Sequence, residues 1–214
     1  MSGNVENKSG TTILAVKYKG GVIIGADTKA AYGSYVWSRS ASKIVPLTDD
    51  IHAALIGNMA ILQAVASYSQ YYLDILESEM ESKASVETAA KVARKILYDN
   101  KQNINGSMIV AGFNAKNKKP EIYTIPFGGA LIEQEFAIAG SGAAYLQGFC
   151  DSAFKRDMSK DECEEFVSKA IAHAIARDSS SGCGVRLVVV SEEGTSKKII
   201  GHPDLPFLLE NGER

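Results

Sequence analysis

The stretch Ser9-Gly10-Thr11-Thr12-Ile13-Leu14-Ala15-Val16 joins a short polar leader, residues 1–10, to an apolar and β-branched segment. If the chain were cut between Gly10 and Thr11, Thr11 would carry a hydroxyl and a free α-amine on one residue. A threonine hydroxyl is a weak nucleophile that needs a base, and an N-terminal amine with a pKa of about 8 can serve as one. On this octet alone, the favoured interpretation is the plain start of a β-strand.

Hydrophobic periodicity along the chain predicts strands, two helices, strands, two helices and strands. The predicted strands cover residues 12–16, 22–26, 42–47, 51–56, 107–113, 120–125, 129–133, 136–139, 186–191 and 196–200. The predicted helices cover residues 58–81, a stretch that starts at Ser85, residues 142–154, and a stretch that a Ser159–Glu162 capping box opens. Residues 30–33 are interpreted as a loop. The order predicts one α+β domain, although it does not by itself define how the layers stack.

Charge and composition argue against several functional classes. The chain has 23 basic and 25 acidic residues, which gives a formal net charge of -2. A charge this close to zero favours neither nucleic acid nor an anionic membrane as a partner. Its three cysteines lack Cys-x-x-Cys spacing and its three histidines share no ligand spacing, so we expect neither disulfides nor a metal. The leader has no apolar core and no run approaches the ~20 apolar residues of a membrane helix. We therefore expect a soluble intracellular protein without a cofactor.

Six short motifs, each weak by itself, follow one another along the chain. They are Gly10-Thr11, Gly25–Lys29 with Asp27, Ala41–Val45 with Lys43, Gly57 after Ala53–Ile56, Gly140–Gly142, and Arg177–Gly182. Their order and spacing resemble the catalytic β-subunits of the 20S proteasome, threonine proteases of the N-terminal nucleophile hydrolase class, and the β1 (caspase-like) type most. The resemblance runs from Thr11 to about Pro206. It implies a four-layer αββα sandwich, with residues 1–10 a propeptide that is removed and residues 11–214 a single catalytic domain.

The resemblance also implies roles for particular residues. The implied catalytic residues are Thr11, Asp27, Lys43, Ser141, Asp178 and Ser181, and Gly57 would donate its backbone N–H to an oxyanion. The residues implied to line the substrate cleft are Ala30, Ala31, Ala41, Val45, Leu55, Met59 and Gln63. Ordinary structural roles stay open for all of them. Asp27 could cap a strand-end turn, and Ser141 could cap a helix.

By resemblance, Lys43 would lie beside the Thr11 hydroxyl and would be held by Asp27. A fixed cation there would lower the pKa of the amine and of the hydroxyl, and it would stabilise negative charge that develops on oxygen. The other three implied catalytic residues would form a polar network that relays the proton of the amine.

The implied activity is endoproteolysis of unfolded polypeptides inside a barrel of stacked rings, in the cytoplasm and nucleus. The implied partners are other β-subunits in a seven-membered ring and α-subunits in the adjacent ring, with no nucleic acid and no membrane. Two alternatives stay open, a non-catalytic structural β-subunit of the same particle and an amidase for a small molecule.

Several positions depart from the usual family pattern around the substrate. Ala143 stands where a serine is common, and the alanines at 30, 31 and 41 stand where hydroxyl residues are common. Leu55 stands where the caspase-like type commonly has a basic residue. A leucine cannot pair with an acidic substrate side chain, so we expect cleavage after apolar residues.

Overall fold

Two five-stranded antiparallel sheets form the centre of the computed structural model, which describes residues 10–206. The first sheet contains, in spatial order, β10 (Phe136–Gly140), β1 (Thr12–Tyr18), β2 (Gly21–Asp27), β11 (Gly184–Ser191) and β12 (Gly194–Gly201). The second contains β5 (Ile44–Pro46), β6 (Ile51–Gly57), β7 (Gly106–Asn114), β8 (Lys119–Ile125) and β9 (Ile132–Glu133). The strands β3 (Ala30–Tyr32) and β4 (Tyr35–Ser38) pair only with each other.

Within the described residues, four α-helices cover the outer faces of the two sheets. The pair α1 (Met59–Met80) and α2 (Val86–Asp99) packs on the second sheet, and the pair α3 (Ala143–Ala153) and α4 (Lys160–Arg177) packs on the first. Among residues 10–206, no helix combines the length and the apolar character that crossing a membrane requires.

The strand β1 shows why the layers stack as they do. Successive side chains of a strand point to opposite faces of the sheet. Ile13 belongs to the hydrophobic cluster between the two sheets, together with Ile109 of β7. Its neighbour Leu14 belongs to the cluster beneath the helices, together with Ile171 of α4. Because both faces of β1 are buried, residues 13–16 form a continuous apolar run. The order helix, sheet, sheet, helix is the predicted αββα sandwich, and this prediction is confirmed.

Capping residues define where two of the helices begin. The Ser159 hydroxyl accepts the Glu162 N–H at 3.3 Å and the Glu162 carboxylate accepts the Ser159 N–H at 2.8 Å, which is the capping box predicted for α4. The Asn58 side chain accepts the Ile61 N–H at 3.3 Å and starts α1 directly after Gly57. Each such cap typically contributes about 1 kcal/mol.

Two segments differ from their predicted form. Residues 30–33, predicted as a loop, begin the β3–β4 hairpin, in which Tyr32 pairs with Tyr35 across a turn that Gly33 enters at a φ of 58°. The predicted strand at residues 129–133 is reduced to Ile132–Glu133, because Gly128 and Gly129 have φ values of 99° and 80° and form a turn instead. Aromatic strand residues in the first case and adjacent glycines in the second are the signals that account for the difference.

Candidate active site

Asp27, the last residue of β2, carries a fully buried carboxylate. The antiparallel pairing of β1 with β2 places it beside the start of β1, where its Oδ1 accepts the Thr12 N–H at 2.9 Å. The same oxygen accepts Lys43 Nζ at 2.6 Å. Its Oδ2 accepts the backbone N–H groups of Lys29 at 3.2 Å and Gly182 at 3.0 Å. Four donors therefore satisfy a charge that would otherwise be costly to bury.

Lys43 lies directly before β5, and its side chain is only 2% exposed. Besides Asp27, its ammonium contacts the carbonyl oxygen of Gly10 at 3.2 Å. Burial lowers the pKa of the Lys43 ammonium, against the opposing effect of the neighbouring Asp27 carboxylate. The structure thus brings a buried cation to the carbonyl group of the Gly10–Thr11 peptide bond.

A chain of hydroxyl groups reaches the same peptide bond from the other side. The Thr11 N–H donates to Ser141 Oγ at 3.1 Å, and Ser141 Oγ donates to Asp178 Oδ2 at 2.6 Å. Ser181 Oγ donates to the same carboxylate oxygen at 2.7 Å. Since the Ser181 proton is engaged there, the Thr12 hydroxyl is the donor in its 2.7 Å contact with Ser181 Oγ. These contacts form a continuous chain of hydrogen bonds that ends at the Thr11 nitrogen.

The Asp178 carboxylate at the end of this path stays ionised more readily than an ordinary aspartate. Burial raises the pKa of Asp178, but the hydroxyls of Ser141 and Ser181, the Ser180 N–H and the nearby Lys29 cation outweigh that effect and lower the pKa overall. Hydrogen bonds to the charged form favour that form. Asp178 is therefore an acceptor for the two serine hydroxyls.

The Thr11 backbone approaches the turn between β10 and α3 closely. Thr11 is 6% exposed, and Thr12 pairs with Gly140, whose φ is 100°. A Cβ at Gly140 would overlap the carbonyl group of Thr11. Glycine is required here both for the positive φ and for the close approach, which brings Ser141 to the Thr11 nitrogen.

Gly57 ends β6 with a φ of 127°, and a Cβ at this position would lie 2.7 Å from the Asn105 carbonyl oxygen. The Leu55 N–H donates to the Lys43 carbonyl at 2.9 Å, so the end of β6 lies at the same edge of the second sheet as Lys43. Gly57, two residues beyond Leu55 and directly before the helix cap Asn58, therefore lies at the same end of these strands as Lys43.

The residues implied to line the substrate cleft lie in three places. Val45, Leu55 and Met59 belong to one hydrophobic cluster beneath α1, in which Leu55 is 1% exposed and the other two are partly buried. Gln63 is exposed on α1. The three alanines lie outside this cluster, at positions 30 and 31 on β3 and at position 41, whose N–H donates to the Thr28 carbonyl at 3.0 Å.

Sequence reasoning missed several residues that the structure brings to the site. Thr12 contributes both its N–H and its hydroxyl, and the register of β1 was the only signal for it. Lys29 reaches the loop after α4, where its Nζ donates to the Ser179 carbonyl at 2.7 Å. Gly10 and Ser180 are in close contact across 170 residues, and no local pattern indicates it.

The assembled groups are those that acyl transfer needs: a threonine hydroxyl, a cation at a carbonyl oxygen and a chain of hydrogen bonds that ends at the Thr11 nitrogen. Within residues 10–206, no three or more His, Cys, Asp or Glu side chains are grouped so that they could hold a metal ion.

A family model and individual relatives all match this chain to proteasome subunits. The family model described as "Proteasome subunit" matches residues 7–190. A Dictyostelium discoideum protein named proteasome subunit beta type-6 is 42% identical over 201 residues, which is 94% of each chain. The Saccharomyces cerevisiae proteasome subunit beta type-1 is 40% identical, over 91% of this chain and 89% of its own. The Oryzias latipes proteasome subunit beta type-9 is 38% identical, over 96% and 94%.

Proposed function

Since the chain belongs to the proteasome subunit family and matches its β-type members, we propose that it is a catalytic threonine endopeptidase of the 20S core. Thr11 is the nucleophile, and its α-amine is the base once the leader is removed. The observation that carries this proposal is the Lys43 ammonium, which is buried between Asp27 Oδ1 at 2.6 Å and the Gly10 carbonyl at 3.2 Å.

Leader removal is an intramolecular acyl transfer. Thr11 Oγ forms a bond to the Gly10 carbonyl carbon, and the carbonyl oxygen becomes an oxyanion beside Lys43 Nζ, which already contacts that oxygen at 3.2 Å. The Gly10–Thr11 C–N bond then breaks, and the nitrogen keeps the bonding electrons and takes up the proton that the hydroxyl lost. Water hydrolyses the resulting ester, which releases the leader with a carboxylate at Gly10 and restores the Thr11 hydroxyl.

Cleavage of a bound peptide uses the same groups with a free amine. The Thr11 amine takes the hydroxyl proton as Oγ attacks, and it returns the proton to the departing amine of the peptide. The Lys43 cation lowers the pKa of the Thr11 amine and keeps more of it in the basic form. The Gly57 N–H donates to the oxyanion. Water then hydrolyses the acyl-enzyme ester.

Membership of this family implies assembly with other subunits into the proteasome particle. The proposed arrangement is a seven-membered β-ring beside an α-ring, in the cytoplasm and nucleus, with unfolded polypeptides as substrates. Exposed apolar residues at helical spacing on α1 support contacts with other chains, because a monomer rarely exposes such a stripe. They are Tyr68, Tyr71, Tyr72 and Ile75, which are 61%, 60%, 49% and 38% exposed.

The mature chain is expected to begin at Thr11. Intact mass spectrometry of the subunit purified from its native particle should show the loss of residues 1–10, and N-terminal sequencing should start at Thr11. A full-length chain in a particle whose Thr11 site hydrolyses peptides would contradict the proposal, because no free amine would then be present.

Peptide cleavage at this site is expected to occur after apolar residues in preference to acidic ones. Leu55 and its cluster partners Val45 and Met59 supply no cation, and an unpaired carboxylate is costly to bury beside them. A difference of about 2 kcal/mol or more in transition-state binding corresponds to a preference of at least about 30-fold in kcat/KM. Fluorogenic peptides that differ only in the residue before the cut would measure it.

The variant Leu55→Arg should move this preference toward acidic residues, and Leu55→Met, which conserves volume, should leave it in place. Both variants are compared within assembled particles, so that a chain that fails to assemble is not counted as an inactive one. An acidic preference in the unmodified site that Leu55→Arg does not change would show that Leu55 does not form the pocket.

A further inference from the structure

The Gly10 backbone passes so close to the loop of residues 178–182 that a side chain has no room. A Cβ built at Gly10 would overlap the Cβ of Ser180. It would also lie 2.7 Å from Ser141 Oγ and 2.9 Å from the Ser180 carbonyl carbon. The overlap with Ser180 is the most severe of these contacts, and it involves an atom that cannot rotate away.

The loop that carries Ser180 is tied down on both sides. The Ser180 N–H donates to Asp178 Oδ1 at 3.0 Å, and the Gly182 N–H donates to the buried Asp27 Oδ2 at 3.0 Å. The Lys29 ammonium donates to the Ser179 carbonyl at 2.7 Å. Moving Ser180 away from Gly10 would strain these bonds to charged partners, each typically stronger than a neutral hydrogen bond.

Gly10 is equally constrained from the other side. Its carbonyl oxygen contacts Lys43 Nζ at 3.2 Å, and the N–H of the next residue, Thr11, donates to Ser141 Oγ at 3.1 Å. A side chain at position 10 would therefore have to displace either the loop or the carbonyl that Thr11 attacks. Misplacement of a reacting group by about 1 Å can reduce a rate by about 100-fold.

We propose that Ser180 determines the specificity of leader removal, because its Cβ restricts the residue before Thr11 to glycine. This inference rests on the proposed self-cleavage at Thr11 and adds the residue that selects the cleaved junction. The selecting feature is the Cβ atom and not the hydroxyl, since the Cβ is the atom that the added side chain would overlap. The Ser180 Cβ affects cleavage only while residue 10 is still attached to Thr11.

A double-mutant design in the assembled particle tests this. Leader removal is followed by intact mass after a pulse of synthesis, and the rate for a Thr11→Ala chain is subtracted as cleavage by neighbouring subunits. Gly10→Ala is expected to slow removal by about 100-fold or more in the otherwise unmodified chain. In the Ser180→Gly background, the factor by which Gly10→Ala slows leader removal is expected to be at least about tenfold smaller. Tenfold corresponds to about 1.4 kcal/mol of barrier.

Ser180→Ala is the matched control, because it removes the hydroxyl and retains the Cβ. In that background the Gly10→Ala penalty should equal the original within about twofold, as for changes that do not interact. Equal penalties in all three backgrounds, equal relief by Ser180→Ala, or loss of leader removal in Ser180→Gly itself would overturn the proposal. Retention of the leader by the unmodified chain would instead contradict the self-cleavage on which the proposal rests.

Discussion

Replacement of Thr11 by alanine is expected to leave the leader attached and to abolish the peptidase activity of this subunit. The substitution removes the hydroxyl that attacks the Gly10 carbonyl carbon in the proposed mechanism. It leaves the contact with Ser141 in place, because Thr11 makes that contact through its N–H, and Ser141 in turn donates to Asp178. Loss of a nucleophile commonly lowers kcat by a factor on the order of 10⁴ or more.

The matched control for Thr11→Ala is Thr11→Ser, which retains a hydroxyl on the same atom and should retain both leader removal and measurable turnover. Peptide hydrolysis by this subunit is separated from that of its neighbours by placing each variant in particles whose other sites are blocked. An Ala variant that still loses its leader at the normal rate and hydrolyses peptides would assign the nucleophile to another residue.

Replacement of Lys43 by alanine is expected to have the next largest effect. The substitution removes the cation at the carbonyl oxygen, and the loss of one such stabilising group typically lowers kcat by about 10²-fold to 10³-fold. It also leaves the buried Asp27 carboxylate without its charged partner, and breaking a buried pair in this way costs about 3–5 kcal/mol of stability. Both peptide turnover and the amount of subunit that enters the particle should fall.

A double variant separates these two effects of Lys43. Lys43→Ala combined with Asp27→Asn removes both members of the buried pair, so the amount of assembled subunit should recover while turnover stays low. Turnover is measured per assembled subunit by active-site titration of the particle. Ordinary turnover in Lys43→Ala, or turnover that recovers together with assembly in the double variant, would show that the role of Lys43 is structural only.

Local sequence patterns predicted most of the elements of the fold. The apolar runs at residues 12–16 and 22–26 predicted β1 and β2, and the Ser159–Glu162 capping box predicted the start of α4. These signals are reliable because each depends on residues only a few positions apart. The β3–β4 hairpin was missed because the two alanines of β3 have low strand propensity and outweighed the aromatic residues that favour strands on either side of Gly33, and because its pairing involves a bulge.

The candidate site could not be predicted from local patterns in the same way. Asp27 and Lys43 are 16 residues apart, and Thr11 and Ser141 are 130 apart, so no periodicity connects them. Only the resemblance to a family grouped these residues, and the structure brings them together around the Gly10–Thr11 peptide bond. Neither local patterns nor the family resemblance predicted the close approach of Ser180 to Gly10, because it depends on the path of the backbone and not on a motif.

On the proposed mechanism, the contact between Lys43 and the Gly10 carbonyl also gives the uncut chain a built-in competitor of its substrates. The carbonyl would occupy the position that a substrate carbonyl needs, at the 3.2 Å contact with the ammonium. Because this group belongs to the same chain, its contact with Lys43 is intramolecular, and free peptide would have to displace it. Removal of the leader would then be a single irreversible event that starts peptide cleavage, and peptide supply would not set its rate.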